Sequence, residues 1–325
     1  MIRSGSKKLS SFIKNNKKLV IVIHRDPDGD AIGSAIALSS LLKQKGVVSS
    51  IICATAVPES YNFLPNFKLI HSLSTVYPQN KSATNHHLDH NNTSIISIDS
   101  GSQERTGLIN RISVNIDHHM DNNGYADLNI LDKKASATGE IIYDLAKALK
   151  LKITKDIAEC LFVAISTDTG YFKYANTTAR TFAIVNDLIV KGANPSRIAQ
   201  LLYEQLSMAQ LKQLADGLKM LKSTLGGRLV WAILKKRHTE LDKGPMELID
   251  YIRKVKSCEV AVVFKEKAAR EVKLSLRSKG SFNVQQFANR YAGGGHKRAS
   301  GCTIFKSLKE TEQLVIKELS QALSK

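Results

Sequence analysis

Little in this 325-residue chain could crosslink it or anchor it in a membrane. Its four cysteines, Cys53, Cys160, Cys258 and Cys302, lie far apart and form no CxxC pair. That argues against a disulfide framework or a zinc knuckle and for a reducing, cytoplasmic location. No apolar run approaches the roughly 20 residues of a membrane span, so no membrane partner is expected. The opening MIRSGSKKLSSFIKNNKK has basic residues but lacks an apolar h-region, and reads as an amphipathic helix, not a secretory signal. No internal repeat stands out. Acidic residues are in deficit, 29 Asp and Glu against 47 Lys and Arg, leaving a net charge of +18. A basic surface attracts polyanions. The lysines are dispersed and never gather into a long tail, so a solvated lysine-rich surface accounts for the charge equally well. Charge alone does not separate a nuclease from a binding module.

What is present is the material of a soluble globular protein: 43% hydrophobic and 23% charged residues, in a length that allows one large or two ordinary domains. The first half alternates apolar β-like runs with helical patterns, which predicts an α/β fold with a parallel sheet. Leu19–His24 and Ser49–Cys53 read as strands, with an amphipathic helix opened by Asp30 and Ser34 and running through Gln44 between them. The polar stretch 78–93 reads as a surface loop, in which His86, His87 and His90 are better taken as exposed than as metal ligands. Ser136 and Thr138 are placed to cap a helix from Gly139 to about Lys150, and Thr154 or Asp156 to open one reaching about Ser166. Thr178–Val190 continues helical, and Pro195 suits the first position of another helix. Leucine spacing keeps the pattern helical to about Thr224. After Gly226-Gly227 the character changes to short strands (Leu229–Leu234, Val260–Phe264, and the alternating Glu271–Arg277) with helices at Phe282–Tyr291 and Leu308–Leu323. The expected organisation is a first domain over 1–190, a helical connector over 191–224, and a smaller α+β domain over 225–325.

Chemistry concentrates in four short segments that end in metal-ligand residues. LVIVIHRDPDGD stops at His24 and carries Asp28 and Asp30 through a turn forced by Pro27 and Gly29. IISID ends in Asp99. VNIDHH ends in Asp117, His118 and His119. LFVAISTD ends in Asp168 and reads as a fourth stopping strand, although it also overlaps the helix opened near Thr154. In open α/β sheets ligands bind outside the carboxyl ends of the strands, and three of the four segments place their ligands at that edge. Two imidazoles with four carboxylates suit a pair of borderline divalent cations such as Mn²⁺, Co²⁺ or Zn²⁺. Such a pair activates a water and stabilises an in-line phosphoryl displacement. Consecutive side chains cannot all ligate one ion, so Asp117 is placed behind an imidazole as its orienting partner. In the second domain Gly293-Gly294-Gly295-His296, followed by Lys297 and Arg298, can bring backbone N–H groups close to an anion. It is not a Walker A loop, having neither GK[ST] nor a preceding strand. Its bland alternative is a glycine turn between a helix and a strand.

These motifs, in order, resemble those of the DHH phosphoesterase superfamily, and GGGHKRASG is similar to the signature of the DHH-associated nucleotide-binding domain of one branch. The resemblance covers nearly the whole chain. In length and layout it is most similar to the NrnA-like oligoribonuclease/pAp phosphatase group, as are Ala135–Glu140, Asp168–Phe172 and Asn176–Thr178. The resemblance implies two divalent cations, usually Mn²⁺. His24, Asp28, Asp99 and Asp168 would hold one, and Asp30, Asp99, His118 and Asp168 the other, with Asp99 and Asp168 bridging. His119 would contact the scissile phosphate, making His119, Asp99 and Asp168 the catalytic residues. Asp26 would have no ligand role. Arg105 would lie near the cleft, and Arg277, Gly293, Gly294, Gly295 and His296 would grip the rest of the nucleotide. The implied activity is hydrolysis of very short RNA from the 5′ end and of 3′-phosphoadenosine 5′-phosphate (pAp) to AMP. The partners would be short RNA, pAp or small nucleotides, and a homodimer is compatible with the family. The rival within the fold is a pApA or cyclic-dinucleotide phosphodiesterase. The rival of another class is a non-catalytic nucleotide- or RNA-binding protein, against which the complete ligand set argues.

Overall fold

The computed structural model describes residues 2–73, 94–234 and 248–324. The loop expected over 78–93, with His86, His87 and His90, lies outside them. The chain divides into two compact units, Met1–Leu202 and Tyr203–Lys325. No described helix is long and apolar enough to cross a membrane. All four cysteines are buried and free.

The first unit is an α/β fold. Helix α1 (Ile2–Asn15) precedes strand β1 (Lys18–Ile23), helix α2 (Gly29–Lys43) and strand β2 (Val48–Cys53). Strands β3 (Ile70–Ser72), β4 (Ser94–Ile98), β5 (Val114–Asp117) and β6 (Leu128–Leu131) complete the sheet, with the short helix α3 (Gln103–Thr106) between β4 and β5. The strands run parallel in the order β3-β2-β1-β4-β5-β6. Parallel strands covered on both faces need apolar residues at consecutive positions. Ile21, Val22, Ile23, Ile96, Ile98, Val114 and Ile116 are accordingly all fully buried. The order reverses between β1 and β4, so the crevice beyond their carboxyl ends is the topological switch point where such sheets bind ligands.

Helices α4 (Thr138–Ala148), α5 (Lys155–Asp168), α6 (Ala179–Val190) and α7 (Pro195–Tyr203) follow. Two expectations are corrected here. Leu161–Asp168 is not a strand but the last part of α5, whose N-cap Thr154 accepts a hydrogen bond from the Ile157 amide. Every residue from Ile157 to Ser166 is buried, so the helix presents no polar stripe and its apolar run mimics a core strand. Helix α2 is likewise not amphipathic, since all of it except Ser40 and Lys43 is buried. The two helices touch at Gly33, where an added Cβ would collide with the Cys160 carbonyl oxygen and press on Ala164. That close approach brings the C-terminal end of α5 to the N-terminal end of α2.

The second unit holds α8 (Met208–Lys219), β7 (Lys222–Thr224), β8 (Leu229–Leu234), α9 (Leu248–Ile252), β9 (Val260–Ala268), β10 (Glu271–Ser278), α10 (Val284–Asn289), β11 (Gly294–His296), β12 (Ala299–Ile304) and α11 (Leu308–Leu323). The helical pattern read across 191–224 therefore contains two separate helices, α7 and α8, and then β7. The sheet is mixed, in the order β11-β12-β10-β9-β8-β7, with only β8 and β9 parallel. Val262, Phe264, Leu274 and Leu276 form its core with Val315 and Leu319 of α11.

Candidate active site

The first unit gathers the ligand-type residues at the switch point. His24 and Asp28 follow β1, and Asp99 follows β4. The His24 Nε2 lies 3.9 Å from Asp28 Oδ1 and 3.8 Å from Asp99 Oδ2. The His118 Nε2 lies 3.7 Å from Asp30 Oδ2, 3.6 Å from Asp99 Oδ1 and 3.5 Å from Asp168 Oδ2. Ligand atoms of His24, Asp28 and Asp99 fall within 4.8 Å of one another, and so do those of Asp30, Asp99 and His118. Asp99 belongs to both triplets. Asp168 reaches the cluster from the last residue of a helix.

Local structure explains how each side chain is aimed. Asp28 is the N-cap of α2, its Oδ1 accepting from the amides of Asp30 and Ala31. The cap is thus Asp28, not Asp30 or Ser34. Asp30 instead caps a different helix: its Oδ2 accepts from the Thr138 amide at 2.6 Å and its Oδ1 from the Gly139 amide at 3.0 Å. These are two of the orphan N–H groups at the start of α4. The side chains of Ser136 and Thr138 are therefore not needed as caps and go elsewhere, Ser136 to Glu140 and Thr138 to Asp99 Oδ1 at 2.8 Å. Asp99 turns out of β4 with φ of 56°, in the left-handed region that aspartate tolerates better than most residues.

The two histidines are oriented alike. The His24 Nδ1 lies 2.7 Å from the Arg25 carbonyl oxygen, and the His118 Nδ1 lies 3.2 Å from that of Ala135. A carbonyl only accepts, so each Nδ1 carries a hydrogen and each Nε2 is the nitrogen turned toward the carboxylates. Burial opposes charge on these rings, but the facing carboxylates outweigh it and raise both imidazoles, His118 to about 10. The geometry therefore calls for positive charge between nitrogen and oxygen: a proton, or a cation that displaces it. Separations of 3.5–3.9 Å are too long for good hydrogen bonds. They are within reach for two ligands that each bind a shared cation at about 2.1 Å. A ring nitrogen tied to a carbonyl behind the ligating nitrogen is also the usual arrangement of a metal-binding histidine. Burial, reinforced by neighbouring carboxylates, raises the carboxyls of Asp30 and Asp99 despite the opposing pull of His118. A divalent cation would reverse that shift. The donor set thus fits divalent cations.

His119 faces differently. Its Nδ1 is 2.7 Å from Asp117 Oδ1, and its Nε2 is 3.2 Å from Arg105 Nη1. Arginine only donates, so Nε2 accepts and the hydrogen on Nδ1 goes to Asp117. Asp117 is fully buried. Burial opposes its charge, but His119, His118 and an Asn122 hydrogen bond hold its carboxyl well below the usual range. Asn122 donates to Asp117 Oδ2 at 2.6 Å. Sequence reasoning missed Asn122 and Thr138 as partners of site residues. Asn122 stands three residues beyond His119 in a polar turn, a weak signal, and Thr138 looked like a cap.

In the second unit Arg277, on β10, pairs across to Ala299 on β12, and Ala299 pairs across to His296 on β11. Directly paired residues share a face of the sheet, so Arg277 and His296 flank a small alanine in one cross-strand row. The glycines before His296 differ in their reasons. A Cβ at Gly293 or Gly295 would run into the backbone of β12, whereas Gly294 has open space where its Cβ would be. Packing therefore accounts for two of the three, and only Gly294 leaves open backbone.

Two family models match the chain over separate stretches. The family model described as DHH family, N-terminal domain, matches residues 18–165, and that of the DHHA1 domain matches residues 233–325. A Thermus thermophilus protein named bifunctional oligoribonuclease and PAP phosphatase NrnA is 29% identical over 292 residues, covering 88% of this chain and 84% of that one. A Streptococcus mutans protein named a probable enzyme of the same kind is 28% identical over 314 residues, covering 95% of this chain and 96% of that one. Among solved structures, an exopolyphosphatase-related protein from Bacteroides fragilis superposes with a TM-score of 0.82 at 24% identity, over 98% of this chain and 96% of that one.

Proposed function

We propose that this chain, which carries a DHH domain over residues 18–165 and a DHHA1 domain over residues 233–325, is a metal-dependent phosphoesterase. Its substrates are very short RNA, shortened from the 5′ end to mononucleotides, and pAp, converted to AMP. The observation that carries this reading is the pair of His–Asp triplets sharing Asp99 at the switch point of the sheet. The names of the NrnA-type relatives, matched over most of their length, support the substrate class.

In this reading two divalent cations, Mn²⁺ by preference, are held by His24, Asp28, Asp99 and Asp168 on one side and by Asp30, Asp99, His118 and Asp168 on the other. Bound there, such cations polarise phosphoryl oxygens and make a water nucleophilic near neutral pH. The remaining work falls to the chain's own side chains. Asp117 fixes the tautomer and direction of His119, whose outer nitrogen meets the Arg105 guanidinium. A phosphate entering there takes the place of that mutual contact: the guanidinium fork matches its oxygens, and the imidazole meets them once Nε2 takes up a proton, a form that the Asp117 carboxylate at Nδ1 favours. Arg277, Gly294 and His296 of the second unit suit the recognition of an anionic nucleotide end. Buried, unpaired cysteines accord with a cytoplasmic enzyme.

A substrate panel with Mn²⁺ tests the proposal: pAp, RNA dimers to decamers, pApA, cyclic di-AMP and pyrophosphate. Turnover of pAp and of the shortest RNAs, abolished by chelation, is expected. Activity that survives exhaustive chelation overturns the metal reading, and exclusive turnover of cyclic di-AMP or pyrophosphate overturns the substrate assignment.

A further inference from the structure

Three of the proposed ligands are held directly by one short segment, residues 135–140, and a fourth, Asp168, is linked to it through Asn176. The Ala135 carbonyl lies against His118 Nδ1. The amides of Thr138 and Gly139 hold Asp30, and the Thr138 hydroxyl holds Asp99. The Ser136 carbonyl accepts from the Asn176 amide group, which also donates to the carbonyl of Asp168. None of these contacts explains what keeps the segment itself in place. The answer lies on its far side, at Glu140. This carboxylate is 0% exposed. Its Oε1 accepts from the Ser136 hydroxyl at 2.5 Å and from the Thr181 hydroxyl at 2.7 Å. Its Oε2 makes no hydrogen bond and meets opposite charge at Arg180 Nε, 3.4 Å away, while Arg180 donates its hydrogen bonds to Asp132 and Asp144. A fully buried carboxylate is costly unless paired, and its partners here join α4 to α6 directly behind the ligand-holding segment.

We infer that Glu140, paired with Arg180, is a positioning residue of the metal centre. It touches no proposed ligand, yet it fixes the segment whose backbone and Thr138 hydroxyl set the spacing of Asp30, Asp99 and His118. This rests on the metal reading above, and depends on supporting contacts mattering for affinity, as they do around metal sites generally.

The test titrates Mn²⁺ into metal-stripped full-length protein by calorimetry, beside the Tm in EDTA. Glu140→Ala is expected to weaken Mn²⁺ binding about 10–100-fold. Glu140→Gln and Arg180→Met, which break the ion pair while keeping size, should give a smaller loss in the same direction. Leu145→Ala, a core truncation on the same helix, should lower the Tm and leave Mn²⁺ affinity at the wild-type value. If Glu140→Ala does not fold, the Gln and Met variants decide. Wild-type affinity in those variants, or an equal loss in Leu145→Ala, overturns the positioning role alone. A wild-type protein that binds no Mn²⁺ overturns the metal reading and this inference with it.

Discussion

Asp99 takes a backbone conformation that costs most residues free energy, and it does so directly after a buried strand. What this conformation achieves is visible in its two oxygens: Oδ2 faces His24 and Oδ1 faces His118. No other residue belongs to both triplets. Replacing it leaves each proposed ion short of a ligand, so Asp99→Ala should lower pAp hydrolysis by at least about 10²–10³-fold. Circular dichroism should remain that of the wild type, and near-normal turnover in the folded variant would contradict the shared-ligand assignment. Asn122 offers a finer test. It holds the Asp117 oxygen that His119 does not use. Asn122→Ala should reduce kcat about 10–100-fold through a loosened His119 while Mn²⁺ affinity stays unchanged. A loss of metal binding instead would place Asn122 behind the ligands.

At the scale of elements, the site depends on how closely two buried helices approach. Asp168 ends α5 where that helix lies close against α2: Gly33 lets α2 approach the Cys160 carbonyl and Ala164, and Gly29 lies against Thr167. A methyl group at Gly33 has nowhere to go, and overpacking of this kind costs about 1–3 kcal/mol. Gly33→Ala should therefore lower stability in urea by that order. It should also weaken Mn²⁺ binding, because the helices separate where the ligands meet. Stability lost with metal affinity intact would show that the sheet edge, without α5, sets the site. The strand endings were legible in the chain because apolar runs stop abruptly at His24, Asp99 and Asp117. Helix α5 was ambiguous for a physical reason: when every side of a helix is buried, the 3.6-residue period that distinguishes it from a strand disappears.

On the scale of the whole molecule, the proposal assigns chemistry to the first unit and recognition to the second. Arg277→Ala and, separately, His296→Ala should reduce kcat/KM for pAp strongly, chiefly through lost positioning. Bound metal should not change, and hydrolysis of bis(p-nitrophenyl) phosphate, which needs little recognition, should fall much less. Equal losses on both substrates, or lost metal, would mean that the second unit supports the catalytic centre itself.

The sequence by itself determined the inventory and most of the elements. Hydrophobic periodicity and turn residues are local, so the parallel sheet, the α11 helix and the residue types at the strand ends could be read without coordinates. Only the tertiary structure decided the partnerships. Asp30 caps α4 across 108 positions of chain, Thr138 reaches Asp99 across 39, and Arg277 and His296 meet a common alanine from two different strands. Such contacts leave no trace in spacing, because a buried carboxylate takes whichever N–H or hydroxyl the packing brings to it, and packing is a property of the folded whole.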